Sequence, residues 1–257
     1  MSDSSPILID LSGGILHISL NRPKVNAFNL EMISALQAAI KQAERDERVR
    51  CVLLSGQGSV FSAGQDLGEF NQVGISYRAH LLRTYNPLVL QIRRLEKPVL
   101  AAIQGAVSGA ALGVVLACDL RIAAENARFV VGFCGIGLAP DSAVSLLLPA
   151  LIGLGRASQY TFSNAPISAG QALDWGLVNL VVAADELHGQ ASAFASALAS
   201  GPLHAFGLAK RAFNKAVLEN LEAVLDYEAH LQEIASASPE HREGVAAFLE
   251  KRAPRFV

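Results

Sequence analysis

Short β-branched runs alternating with helical stretches constrain this chain more than any other feature. Residues 14–20 (GILHISL), 49–54 (VRCVLL), 99–103 (VLAAI), 119–123 (DLRIA) and 178–182 (VNLVV) each have the length and bulk of a strand and are bounded by Gly, Asn or Pro. Between the first two, Met32, Leu36, Ile40 and Ala43 recur at helical spacing, which predicts an amphipathic helix over residues 29–47 with Asn29 as its cap. Ser168 and Gln171 fit a capping box opening a second helix that Gly176 stops. From about His204 to Pro254 the sequence is helical throughout, with no strand-like run. The pattern therefore predicts an α/β core over residues 1–195 and a helical region over 196–257, too small for a large core of its own and suited to packing on a neighbouring subunit.

Charge and composition narrow the function. Lys and Arg number 21 against 23 Asp and Glu, a net charge of −2, so there is no basic footprint for nucleic acid. The chain is 51% hydrophobic, yet its apolar stretches at 110–118 and 144–154 fall short of the roughly 18 residues that a membrane helix needs. The N-terminus has neither the basic start nor the apolar core of a secretory signal, from which a cytoplasmic location is expected. Cys51, Cys118 and Cys134 are odd in number, far apart and set among apolar neighbours, as expected of reduced core thiols rather than disulfides or a metal site.

Several catalytic layouts are missing: Gly-x-Ser-x-Gly, Gly-x-Gly-x-x-Gly, a Walker loop, His-Glu-x-x-His and Cys-x-x-Cys do not occur. His230 and Glu233, three apart, read as a solvated helix face, and no metal is expected. Two glycine-containing strand-to-helix junctions remain, Phe61-Ser-Ala-Gly-Gln-Asp-Leu67 and Gln104-Gly-Ala-Val-Ser-Gly-Ala-Ala111. Each is either a tight turn or a place where a helix N-terminus offers an unpaired N–H to a developing oxyanion.

These strings, together with Asn21-Arg-Pro-Lys-Val-Asn-Ala-Phe-Asn29, Lys97-Pro-Val, Ala117-Cys-Asp119 and the segment from Glu243 to Phe256, occur in the order seen in the enoyl-CoA hydratase/isomerase (crotonase) superfamily, which the chain resembles over essentially its whole length. The resemblance implies a crotonase (ClpP-like) spiral of ββα units, a C-terminal trimerisation region, assembly as a homo-trimer or a hexamer, and an acyl-CoA thioester as substrate, with coenzyme A entering as part of that substrate and no prosthetic group. It also implies that the backbone N–H groups of Gln65 and Ala110, each following a glycine (Gly64 and Gly109), form the oxyanion hole. Coenzyme A is expected near Lys24, Val25, Ala27, Ala63, Asp66 and Leu67, with Phe248 and Lys251 arriving from a neighbouring subunit.

The two glutamates with which hydratases activate and protonate water align with Gly113 and Phe133. Between residues 60 and 160 the acids are Asp66, Glu69, Glu96, Asp119, Glu125 and Asp141. Asp66 and Asp119 belong to family strings, Glu69 opens a polar loop, Glu96 adjoins Lys97, and Glu125 lies in a polar turn. Asp141 follows a proline at the entry to an apolar run, where it is either an N-cap or a general base. The string Gly-Leu-x-Pro-Asp around it resembles the branch that isomerises 1,2-epoxyphenylacetyl-CoA, as do those around Tyr85 and Trp175. On that resemblance Asp141 shuttles a proton, Phe133 and Gly109 border the substrate, and Tyr85 either contacts the acyl group or packs in the core, as Trp175 does. The expected activity is conversion of the ring epoxide to its oxepin isomer or of 3-enoyl-CoA to 2-enoyl-CoA. A hydratase-like enzyme of fatty-acid oxidation and a CoA-binding scaffold without catalysis are the alternatives.

Overall fold

The predicted strands line up side by side. In the computed structural model, which describes residues 5–68, 70 and 74–256, a six-stranded sheet runs in the order β1 (Ile7–Ser12), β2 (Ile15–Leu20), β3 (Cys51–Gly56), β4 (Val99–Ile103), β6 (Leu120–Ala124), β9 (Leu180–Val182). β1 and β2 form an antiparallel hairpin, and every later pairing in this sheet is parallel, with Val52 opposite Val99 and Ala102 opposite Ile122. Parallel strands are covered on both faces, which is why β3 and β4 read as nearly unbroken apolar runs.

A second sheet joins β5 (Ala106–Ser108), β7 (Arg128–Val130) and β8 (Ile167–Ser168). The chain leaves β4 for β5 and then enters a helix, α4 (Ala110–Ala117), so strand, strand and helix repeat as a unit. A bridge between Ser62 and Val107 carries the segment after β3 along the same path. The sequence reading misses β1, β5, β7 and β8. β1 is an edge strand with Leu8 and Ile9 both 46% exposed, and the other three are only two or three residues long and held by distant partners.

Helix starts follow local chemistry. Asn29 caps α1 (Leu30–Arg45) by accepting from the Met32 N–H, and Met32, Leu36, Ile40 and Ala43 are buried as expected. Ser168 and Gln171 form the reciprocal capping box of α7 (Ala169–Asp174). All eight residues of α4 are buried, consistent with a sequence apolar on every face. Between them lie α2 (Tyr77–Arg83), α3 (Tyr85–Arg94), α5 (Val144–Ile152) and α6 (Leu154–Ser163). α8 (Leu187–Ala199) covers β3 and β4, and residues 195 and 196, where the sequence reading divides the chain, are consecutive residues of this helix. The helical tail comprises α9 (Leu203–Val217), α10 (Leu221–Ser236) and α11 (Pro239–Leu249).

Cys51 and Cys118 are buried and burial pushes both thiols up to about 12, whereas Cys134 is only half-buried, because it lies in a short 3-10 turn (Cys134–Ile136) rather than in the core. Trp175 is half-buried too, packed beside Tyr160 and under the Arg156 guanidinium. No helix among the described residues is long and apolar enough to cross a membrane. Glu69 lies outside the described residues.

Candidate active site

The two glycine junctions meet. Gly64 has φ +86, and a Cβ there would lie 2.6 Å from the Ser108 carbonyl oxygen and 3.5 Å from the Ala110 nitrogen, so only glycine permits this approach. The Phe28 N–H donates to the Gly64 carbonyl and the Asp66 N–H to the Phe28 carbonyl, which turns the intervening Gln65 N–H away from that pairing. Ala110 is the first residue of α4, where an N–H has no partner within the helix. Among the described residues neither N–H has an acceptor.

Both residues line a cavity of about 320 Å³, together with Gly109, Phe133, Tyr85 and Asp141. The residues expected to hold donors, base and acyl group thus share one space. Ala63, Leu67 and Phe248 line it as well. Lys24 and Val25 are exposed and Ala27 is half-buried; the Ala63 N–H donates to the Val25 carbonyl, so this stretch adjoins the cavity wall. Asp66 pairs with Arg22 at 2.7 Å. Lys251 is exposed and does not line the cavity. Phe248, expected from a neighbouring subunit, lines the cavity of its own chain. The reason is Gly244, which lets α11 pack against the 3-10 turn so closely that a Cβ would come within 2.6 Å of the Ile136 Cα.

Asp141 is 6% exposed. It does not cap a helix: α5 begins at Val144, and no side chain in the preceding turn caps it. Instead the carboxylate accepts from the Ser142 hydroxyl and from Gln232 Nε2, both at 2.6 Å. Burial pushes Asp141 up to about 6, against the pull of these two hydrogen bonds. Among the described residues lining the cavity it is the single carboxylate. No cluster of His, Cys, Asp and Glu among the described residues has the makings of a metal site.

Gly113, expected on the resemblance to match one hydratase glutamate, is physically closed. A Cβ on Gly113 would sit 2.4 Å from the Ser142 Cβ and 2.5 Å from its carbonyl oxygen, so the Asp141–Ser142 segment occupies that space. The other aligned position, Phe133, presents a buried apolar ring. A further wall is formed by Tyr77, His80 and Tyr85. The Tyr85 hydroxyl donates to Gln65 Oε1 at 2.6 Å, and His80 Nε2 lies 2.8 Å from the same oxygen. Because Gln65 Nε2 donates to the Phe28 carbonyl, its Oε1 must accept both, which fixes the tautomer with hydrogen on Nε2. Burial holds His80 down at about 4, and it raises Tyr77 to about 12, aided by the Asp141 charge.

Sequence reasoning misses Glu228 and Gln232, which support the Asp141 segment from α10. The only local signal is two polar residues one turn apart on the stripe that carries Leu221, Leu225 and Ala229, all buried.

Comparison with known proteins places the chain in a family. Residues 10–257 match the family model described as enoyl-CoA hydratase/isomerase. The chain is 40% identical to a 1,2-epoxyphenylacetyl-CoA isomerase from Escherichia coli (strain K12), covering 98% of each. It is 39% identical to a probable enoyl-CoA hydratase from Rhodobacter capsulatus, covering 98% of this chain and 97% of the relative. Its fold superposes on the crystal structure of an enoyl-CoA hydratase from Mycobacterium avium subsp. paratuberculosis K-10 with a TM-score of 0.90 and 34% identity, covering 98% of both chains. With the expected crotonase fold matched over 98% of its length, the chain is an enzyme of the enoyl-CoA hydratase/isomerase family.

Proposed function

We propose that this enzyme isomerises acyl-CoA thioesters, with Asp141 as a proton shuttle and the Gln65 and Ala110 N–H groups as the oxyanion hole. The observation that carries the reading is that, among the described residues, one buried carboxylate lines a cavity that also holds two unpaired backbone donors. Adding water across a double bond usually calls on two acid–base groups. Moving a double bond needs one group that takes a proton and returns it elsewhere.

In this scheme the thioester oxygen of a 3-enoyl-CoA accepts from the two N–H groups, which acidifies the protons on C2. Asp141 removes one, charge spreads over the dienolate and is held by the same donors, and Asp141 delivers the proton to C4 to give the 2-enoyl-CoA. A carboxyl raised to about 6 suits both halves of this exchange near neutral pH. Phe133 keeps an apolar surface where a hydratase glutamate would hold water. The 40% identity to the Escherichia coli isomerase supports a ring epoxide of phenylacetyl-CoA as an alternative substrate, rearranged within the same cavity to its seven-membered oxepin isomer without gain or loss of atoms. Coenzyme A would lie along Lys24, Val25, Ala27, Ala63, Asp66 and Leu67. Phe213, Val217, Tyr227 and Ile234, each at least 59% exposed on the tail helices, support self-association as a trimer or hexamer.

The test is turnover of a short 3-enoyl-CoA by the wild type and by Asp141→Asn, with 2-enoyl-CoA separated from 3-hydroxyacyl-CoA. Formation of 2-enoyl-CoA that disappears in the variant is the expected result. Hydroxyacyl product, or unchanged turnover in the variant, refutes the scheme.

A further inference from the structure

Asp141 is followed by Ser142 and Ala143 at φ 56 and 65, the only two consecutive non-glycine residues with positive φ among the described residues. L side chains avoid that conformation, and it persists only where surrounding contacts impose it. Here Ser142 packs on Gly113 of α4, and the hydrogen bonds come from one helix. Glu228 on α10 accepts from the Ala143 N–H through Oε2 at 2.7 Å, and from the Ser145 N–H at 3.0 Å and the Ser145 hydroxyl through Oε1. One turn on, Gln232 donates to the Ala139 carbonyl at 2.7 Å and to the Asp141 carboxylate. Glu228 is 2% exposed, does not line the cavity, and has no part in the reaction scheme.

We propose that Glu228 is a positioning residue for the isomerisation: as a carboxylate it clamps the Ser142–Ala143 turn and thereby aims Asp141 into the cavity. The inference rests on the reading of Asp141 as the proton shuttle. Its three donors call for acceptance at both oxygens, which the ionised form meets in full, whereas a protonated carboxyl gives up one acceptor position to its O–H and holds the turn less firmly. Burial pushes Glu228 up to about 7, the Asp141 charge adds to the rise, and the hydrogen bonds from Ser145 and Ala143 oppose it.

The other charged and titratable groups nearby are already committed. On α2, Arg78 pairs with Asp226 and its N–H donates to Glu233, and Tyr77 is hydrogen-bonded to His241 of α11; His80 of α2 and Tyr85 of α3 both bond to Gln65. Turnover therefore needs two buried carboxylates ionised, one that reacts and one that holds it in place.

Glu228→Gln keeps the size and loses one acceptor at all pH values. For the wild type, log kcat/KM for a 3-enoyl-CoA should fall at acid pH with a slope steeper than one before Glu228 is fully protonated, and for the variant with a slope no steeper than one. Its kcat should drop about 10- to 100-fold, the scale of a small misplacement of a reacting group, with KM changed less than about threefold. A kcat within about twofold of the wild type, or a lowered melting temperature with the slope still steeper than one, overturns the proposal. If Glu228→Gln does not fold, Ser145→Ala serves: losing the hydroxyl donor raises the pH at which Glu228 ionises and moves the acid limb to higher pH, and an unmoved limb overturns the proposal. Asp141→Asn run alongside separates the two ideas, because turnover retained there refutes the shuttle alone. In that event the crystal structure of Glu228→Gln still decides: Ser142 or Ala143 leaving its positive φ supports the clamp, and an unmoved turn overturns it.

Discussion

Removing the charge of Asp141 should make the protein more stable while abolishing its turnover. Asparagine can keep both partners, its Oδ1 accepting from Gln232 Nε2 and its Nδ2 donating to the Ser142 oxygen, so the change removes charge with little change of shape. Raising the carboxyl from 3.8 to about 6 on folding corresponds to about 3 kcal/mol. The sign follows from proton linkage. Below pH 3.8 both folded and unfolded chains hold the proton and there is no penalty. As pH rises, the unfolded chain ionises first and stability falls, until the folded carboxyl also ionises at about 6 and the penalty levels off.

Asp141→Asn should therefore exceed the wild type by about 3 kcal/mol near pH 8 and by only about 1 kcal/mol near pH 4.5. Urea unfolding followed by circular dichroism at the two pH values measures this. With a slope of about 3 kcal/mol per molar urea, the midpoint at the higher pH should move up by about 1 M. A variant no more stable than the wild type near pH 8, or an advantage that does not change with pH, would refute the claim that this carboxylate is held in a desolvated place.

Two backbone positions give independent checks. Gly64→Ala places a methyl 2.6 Å from the Ser108 carbonyl at a φ that alanine resists, so the two N–H donors should move apart; kcat/KM for a 3-enoyl-CoA should fall about 10²- to 10³-fold, and an unchanged value would mean these donors do not hold the oxyanion. Gly113→Ala forces the Ser142 backbone out of the way and should cost about 1–3 kcal/mol in urea unfolding, whereas a neutral result would show that the Asp141 segment yields readily.

The sequence carried its local structure plainly. The spacing of Met32, Leu36, Ile40 and Ala43 describes the buried side of α1, and Asn29 and Ser168 cap the helices they precede, because a cap is a contact between residues three apart. β4 spans the residues expected of it, since a strand buried on both faces writes a continuous apolar run. β1, β5 and β7 left a weaker mark, being exposed or only three residues long and stabilised by partners elsewhere in the chain.

For the site, resemblance brought Gln65, Ala110 and Asp141 into one list, and the fold brought them into one cavity. The local reading left Asp141 between cap and base. The start of α5 at Val144 excludes the cap, and the carboxylate is held instead by Gln232, which lies 91 residues further on. Nothing local announces that Gly113 must stay bare for Ser142 to pack on it, or that Glu228 clasps a turn 83 to 85 residues away. Sequence by itself determined the longer elements and the glycines at the junctions, and with the resemblance it pointed to the missing paired glutamates. Tertiary structure alone decided which carboxylate is buried beside the two free N–H groups and what holds it there, because desolvation and convergent hydrogen bonds depend on groups that meet only after the chain has folded.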